Sequence, residues 1–122
     1  LGHTIGHAFE SLALSRLHPV LHGYAVAWGL VCELYLSYAN VHFPRDVMRR
    51  VIHFIHENYG LFIFTCDDYE ELYQFMLHDK KNKGGVINFT LLNDVGELRL
   101  NQTASQGLIY ETLDFYRECM GI

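Results

Sequence analysis

GYAVAWGLVCELYLSYA, residues 23–39, places apolar side chains around nearly the whole circumference of a helix. The residues that define its apolar surface at helical spacing are Val26, Ala27, Leu30, Val31, Leu34 and Tyr38. A helix that is apolar on all sides is buried, whereas a surface helix keeps one polar face. This run therefore predicts a central helix against which the other elements of the chain pack.

Helices are predicted on both sides of this run. The preceding helix extends from about residue 4 to about residue 17, with Thr4 as its N-cap or a first-turn residue and the break at His18-Pro19 as its end. The following helix opens with Pro44 in its first turn and closes at Gly60. Proline fits the first turn of a helix and glycine its end, so both positions agree with a helix between them.

The remainder of the chain adds two helices and one β-hairpin. Asp67 or Asp68 caps a fourth helix, and Ser105 caps the last one. Between these helices, residues 86–92 and 97–100 indicate two strands joined by the turn Asn-Asp-Val-Gly at 93–96. The predicted fold class is therefore mainly α, a multi-helix bundle with one small β-hairpin, in a single domain over residues 1–122.

Composition narrows the classes of function. Half of the 122 residues are hydrophobic, which is enough for one domain with its own core. The formal net charge of −5 argues against a nucleic-acid partner, because a phosphate-binding surface is rich in Lys and Arg. No stretch has the length and apolar character of a membrane span, so no membrane partner is expected. The odd count of cysteines, Cys32, Cys66 and Cys119, indicates buried free thiols in a reducing cytoplasm.

Histidines and glycines alternate at the start of the chain. In Gly2-His3-Thr4-Ile5-Gly6-His7, the two imidazoles are four residues apart and share one face of a helix, and His22 returns after the next turn. Imidazole suits zinc and its neighbours, and a catalytic zinc takes three protein ligands with one position open. Gly2, Gly6 and Gly23 lack side chains, which lets a backbone, a ligand or a substrate approach closely. The pattern predicts a divalent-metal site.

Two other zinc patterns are excluded. No Glu directly follows His3, as the H-E-x-x-H helix of metalloproteases requires, and no C-x-x-C pair is present for a structural zinc knuckle. The remaining histidines, His18, His42, His53, His56 and His78, have no pattern of partners, and we assign them to surface or packing roles. Glu10 is expected to bond His7 or to cap a turn.

Three sequence blocks occur in order along the chain. They are Gly2-His3-Thr4-Ile5-Gly6-His7-Ala8-Phe9-Glu10, then Leu21-His22-Gly23-Tyr24-Ala25-Val26-Ala27-Trp28-Gly29-Leu30, then Asp79-Lys80-Lys81-Asn82-Lys83 ahead of the hairpin. Together they resemble the C-terminal domain of 3-dehydroquinate synthase. Tyr24 departs from the pattern, since most members have Glu there. The chain begins without Met and inside a motif, and we interpret it as a piece of a longer protein cut at a domain boundary.

The resemblance implies a two-domain enzyme, α/β plus α, of the shikimate pathway. NAD would be bound mainly by an N-terminal domain absent from this chain. Zinc or another divalent metal would be held by His3, His22 and one Glu of that missing half, and His7 would lie beside the substrate and its phosphate. Lys80 or Lys81 would supply a cation near the phosphate and carboxylate. Members are commonly homodimers.

The reaction implied by the resemblance converts the sugar-acid phosphate 3-deoxy-D-arabino-heptulosonate 7-phosphate to 3-dehydroquinate and phosphate. Two alternatives remain open at this point. A metal-dependent alcohol or polyol dehydrogenase also joins a nucleotide-binding domain to a helical domain with histidine ligands, but it has no need of the Asp79-Lys80-Lys81 block. A noncatalytic helical interaction module would show an exposed apolar patch near His3 and His22.

Overall fold

The computed structural model describes residues 1–79 and 87–122. Five α-helices, one short 3₁₀ turn and one hairpin follow one another along this part of the chain. In order they are α1 (His3–Ser15), α2 (His22–Val41), α3 (Arg45–Tyr59), the 3₁₀ turn Cys66–Asp68, α4 (Tyr69–Leu77), β1 (Asn88–Asp94), β2 (Glu97–Thr103) and α5 (Gln106–Met120). The predicted fold class, a mainly α bundle with one small hairpin, is confirmed.

Helix α2 lies at the centre of the molecule, as its apolar circumference predicts. It packs against α1, α3, β1 and α5. Side chains from several of its faces are buried, including Ala25, Trp28, Val31, Cys32, Leu34 and Leu36. The burial of these side chains is the main hydrophobic contribution of α2 to the stability of the fold.

Helices α1 and α2 cross at backbone contact distance. A Cβ atom on Gly29 of α2 would lie 2.3 Å from the Gly2 carbonyl oxygen and 2.4 Å from the Gly6 nitrogen. A Cβ on Gly6 would in turn lie 2.9 Å from the Ala25 carbonyl oxygen. Glycine is therefore required on both helices at the crossing, since any side chain there would separate the two backbones. At Gly23, in contrast, an added Cβ would meet no protein atom within 4 Å.

The ends of α1 differ from the prediction by one or two residues. The helix begins at His3 after Gly2, whose φ of 81° is left-handed, so Thr4 is a first-turn residue and not the N-cap. It ends at Ser15, before the predicted end at residue 17. Leu17 has a φ of 60°, which is incompatible with a continuing right-handed helix.

The boundaries of α2 and α3 also shift slightly. Helix α2 covers His22–Val41, wider than the predicted 23–39. Pro44 is the N-cap of α3, one position before the predicted first turn, with a ψ of 123° that is extended. Gly60 closes α3 with a positive φ, as predicted.

The hairpin is longer and its turn tighter than predicted. Only Val95 and Gly96 separate the strands, and Gly96 supplies a φ of 79°. Strand β1 thereby includes Asn93 and Asp94, which the sequence assigns to the turn, and β2 continues to Thr103. Gly96 adopts the positive φ at the second position of this turn, and Asp94 pairs with Glu97 on either side of it.

Hydroxyl side chains cap α5 and the 3₁₀ turn before α4. The Ser105 hydroxyl accepts the Leu108 N–H at 3.1 Å, which confirms the predicted cap of α5. At α4, Asp68 holds the N-cap position without a side-chain bond to that helix. Thr65 instead caps the preceding 3₁₀ turn, and the Asp68 carboxylate accepts the Thr65 N–H in return.

An aromatic cluster fills the space between α1, α5 and the segment after α3. Phe9 packs against Phe62, Phe64 and Tyr116 with ring centroids 5.2 to 5.4 Å apart. The Tyr116 hydroxyl accepts the Phe62 N–H at 2.8 Å, and burial raises the pKa of Tyr116. These rings form part of the hydrophobic core.

The three cysteines are free, but only one of them is buried. Cys32 is fully buried in α2, and this burial raises the pKa of its thiol. The prediction of burial is wrong for Cys66 and Cys119, which are exposed in the 3₁₀ turn and at the end of α5. Among the described residues, none of the helices is long and apolar enough to cross a membrane.

Candidate metal and substrate site

Three imidazole rings form a triangle where α1 meets the start of α2. His3 and His7 share one face of α1, and His22 is the first residue of α2. The ring centroids are 5.6 Å apart for His3 and His7, 5.8 Å for His3 and His22, and 5.7 Å for His7 and His22. The structure thus brings together the three histidines that the sequence analysis places at the site.

Each ring makes one hydrogen bond through Nδ1 to an oxygen that can only accept. The partners are the Leu1 carbonyl at 3.2 Å from His3, Asp79 Oδ2 at 3.4 Å from His7, and Glu10 Oε1 at 3.2 Å from His22. In a neutral ring, a proton on Nδ1 leaves Nε2 with its lone pair. In the neutral form, these three contacts favour the tautomer in which Nε2 can bind a metal or accept a proton.

The Glu10 carboxylate contacts a different histidine from the expected one. It bonds His22 across the two helices, and not His7, which bonds Asp79. The expectation for Glu10 is wrong. The spacing in the sequence places Glu10 and His7 on the same helix, but the packing of α2 brings His22 within hydrogen-bond distance of Glu10. Carboxylates on the far nitrogen of a metal-binding imidazole orient the ring and raise its basicity.

The donor set fits a divalent metal. Within the described part of the chain, His7, Glu10 and His22 each offer a ligand atom, and these atoms lie within 4.8 Å of one another, a set that does not include His3. Two imidazoles bound to one tetrahedral zinc have ring centres roughly 5 Å apart, given metal–nitrogen bonds of about 2.0–2.1 Å. The observed centroid separations are slightly wider than this value. Imidazole nitrogen with carboxylate oxygen suits zinc.

The site is open to solvent. His3 and His22 are exposed, the His7 side chain is 42% exposed, and Asp79 beside it is largely covered at 12%. An open face is what a catalytic metal needs for a further ligand and a substrate. Lys80 and Lys81, predicted as the phosphate-binding cations, lie outside the described residues.

Tyr24 packs against aromatic side chains next to the site. Its ring meets Tyr59 edge-on at 5.1 Å and Trp28 at 6.0 Å. The residue that departs from the family pattern is thus 40% exposed and joins α2 to the end of α3. The five histidines assigned to surface or packing roles, His18, His42, His53, His56 and His78, are all exposed.

Glu33 is a feature of this region that the sequence analysis does not identify. Its carboxylate is 1% exposed and accepts the N–H groups of Gly2 at 2.9 Å and Ile5 at 3.1 Å. The available signal is the single carboxylate within an otherwise apolar helix. A buried charge needs partners, so such a residue points to a specific polar contact.

Comparison with known proteins identifies the family of this chain. The sequence model of the family described as 3-dehydroquinate synthase C-terminal matches residues 1–82. The chain belongs to this family. The resemblance found in the sequence is thereby confirmed, and the family match favours neither the dehydrogenase nor the interaction module.

Several curated relatives carry the name 3-dehydroquinate synthase. One from Parabacteroides distasonis is 54% identical over 121 residues, covering 99% of this chain and 34% of that protein. Another from Leptospira interrogans is 42% identical over 96 residues, covering 79% of this chain and 26% of that protein. One from Staphylococcus aureus is 34% identical over 98 residues, covering 80% and 26%. The chain spans about a third or less of the length of these relatives.

A solved structure shares the fold. It is a 2-deoxy-scyllo-inosose synthase complexed with carbaglucose-6-phosphate, NAD+ and Co2+. The TM-score is 0.70 at 23% identity, over 96% of this chain and 32% of that chain. The helical bundle with its hairpin is therefore an arrangement found in a larger synthase.

Proposed function

We propose that this chain is the metal- and substrate-binding C-terminal part of a 3-dehydroquinate synthase. The complete enzyme would convert 3-deoxy-D-arabino-heptulosonate 7-phosphate to 3-dehydroquinate and phosphate in the shikimate pathway, which supplies aromatic amino acids. The observation that carries the proposal is the triangle of His3, His7 and His22 in a chain of this family. The reaction class is a phosphate-eliminating cyclisation, a carbon–oxygen lyase reaction.

His3 and His22 would hold the metal, and a third ligand would come from outside this chain. The proposed metal is zinc or another divalent ion, which would polarise the hydroxyl being oxidised and act as a Lewis acid. Support comes from the exposed position of both rings and from their Nδ1 bonds, which leave Nε2 for a ligand bond. A Co2+ ion is present in the structural neighbour.

His7 would act beside the substrate. Its Nδ1 bond to Asp79 holds the ring and leaves Nε2 able to accept or return a proton at a substrate oxygen. Asp79 is mostly covered, so its carboxylate is a well-placed anchor for the ring. Lys80 or Lys81, which directly follow Asp79 in the sequence, would supply positive charge for the phosphate and carboxylate of the substrate.

The remaining partners are proposed from the family. NAD would take the hydride and give it back, bound mainly by an N-terminal half, and the structural neighbour contains NAD+. We propose a cytoplasmic homodimer with a small sugar-acid phosphate as substrate and with neither nucleic acid nor membrane as partner. The net charge of −5 agrees with the absence of a nucleic-acid surface.

Phosphate release tests this function. The complete protein containing this chain, supplied with NAD and Zn2+ or Co2+, is expected to release phosphate from 3-deoxy-D-arabino-heptulosonate 7-phosphate and to form 3-dehydroquinate. Residues 1–122 alone should release none and should hold zinc weakly, because two histidine ligands leave the coordination sphere incomplete.

The two alternatives predict different results in the same assay. NAD-dependent oxidation of simple polyols without phosphate release would favour the dehydrogenase. Absence of any metal-dependent turnover in the complete protein would favour the interaction module. Phosphate release by residues 1–122 alone would contradict the need for a second half.

A further inference from the structure

A carboxylate from α2 caps the first turn of α1. Helix α1 has no capping side chain at Gly2 and no acidic residue in its first turn, so its N-terminal N–H groups lack a local acceptor. Glu33, 31 residues away from Gly2, supplies both oxygens, with Oε1 accepting the Gly2 N–H and Oε2 the Ile5 N–H. This is a helix cap delivered by a tertiary contact.

The contact is strong on physical grounds. Burying a carboxylate carries a large desolvation penalty unless hydrogen bonds and opposite charge compensate it. Here two N–H groups and the positive end of the α1 dipole provide that compensation. The close crossing at Gly6 and Gly29 brings the helices near enough for Glu33 to reach the first turn. Removal of the carboxylate would leave those donors buried without their partner.

The two residues whose N–H groups bind Glu33 lie on either side of His3 in the sequence. Gly2 precedes this histidine and Ile5 lies two residues after it, so both N–H groups that Glu33 binds belong to the turn that carries His3. His22 begins the same α2 helix that contains Glu33. Helix α2 therefore carries His22 itself and, through Glu33, holds the backbone of the turn that carries His3.

We propose that Glu33 is a positioning residue for His3, setting the His3 ring relative to His22 so that both can bind one metal ion. The inference rests on the proposed metal role of His3 and His22. Outer partners of metal ligands change metal affinity by roughly 10- to 100-fold when they are replaced. Glu33 acts on its ligand through the backbone, and we expect an effect near the lower end of that range.

Co2+ titration of the complete protein tests the proposal. Glu33→Gln keeps the shape of the side chain and one accepting oxygen, and it should weaken Co2+ binding about tenfold. Glu33→Ala removes both bonds and should weaken it further. Cys32→Ala is the matched control, because it creates a buried defect one residue away on α2 without touching the α1 N–H groups. It should reduce the unfolding temperature and leave Co2+ affinity unchanged.

A double-mutant cycle separates positioning from general destabilisation. In a His3→Ala background, Glu33→Gln should have no further effect on Co2+ affinity, since the ligand it positions is gone. In a Cys32→Ala background, which leaves both proposed ligands in place, the tenfold loss should persist. An equal loss in both backgrounds, or unchanged Co2+ affinity in Glu33→Gln, would overturn the positioning role.

The same Co2+ titration distinguishes failure of the proposed metal ligands from failure of the role of Glu33. Co2+ binding that is insensitive to both His3→Ala and His22→Ala would refute the proposed ligands, and the inference about Glu33 would fall with them. Sensitivity to both histidines together with indifference to Glu33→Gln would overturn the positioning role alone.

Discussion

Replacing His22 with alanine in the complete protein should abolish metal binding and turnover together. His22 is one of the two imidazoles proposed to hold the metal, and its Nδ1 bond to Glu10 leaves Nε2 as the ligand atom. Loss of a direct ligand should lower metal affinity by more than roughly 100-fold, the upper end of the effect of losing an outer partner. Metal content by atomic emission and phosphate release on the same preparation measure both effects.

His53→Ala is the control for this variant. His53 is also a surface histidine near a glutamate, with Nε2 3.6 Å from Glu57, but it lies on α3. Its replacement should leave metal content and turnover unchanged. Full metal stoichiometry at unchanged affinity in His22→Ala would remove His22 from the ligand set.

Replacing Gly29 with alanine should severely destabilise the fold. The new Cβ would lie within 3 Å of three backbone atoms of Gly2 and Gly6, and backbone cannot rotate away as a flexible side chain can. We expect a loss of at least about 3 kcal/mol in the free energy of unfolding, at the upper end of overpacking effects. Chemical denaturation monitored by circular dichroism measures it.

The Gly29→Ala substitution should also weaken metal binding, because the new Cβ separates α1 from α2. Because His3 lies on α1 and His22 on α2, the fraction of Gly29→Ala protein that still folds should bind Co2+ more weakly than the unmodified protein. Gly23→Ala is the matched control on the same helix, since its Cβ would meet no protein atom within 4 Å. Its stability should change by no more than about 1 kcal/mol. Equal stability of the two variants would contradict the close crossing.

Much of the fold follows from local patterns in the sequence. The apolar circumference of residues 23–39 predicts the central helix, and turn residues such as Gly60 and Ser105 predict where helices end or begin. These features depend on neighbours within one or two helical turns, so a single sequence contains them. The hairpin is longer than predicted because Asp94 pairs with Glu97 and Asn88 with Thr103, and such pairings depend on the partner strand and not on local composition.

The site was predictable only in part, for the same physical reason. Spacing places His3 and His7 on one face of α1, and the structure brings His22 to them. The cap by Glu33 and the bond from His22 to Glu10 join residues on different helices, and no local pattern specifies such pairs. Gly29 likewise reads as an ordinary helical residue until the path of α1 across it is known.

Anomalous diffraction from crystals of the complete, zinc-loaded protein tests the central claim most directly. A single peak is predicted within bonding distance, about 2.0–2.1 Å, of Nε2 of both His3 and His22, with a third ligand from outside residues 1–122. A fully occupied zinc that neither imidazole touches would contradict the proposed metal site.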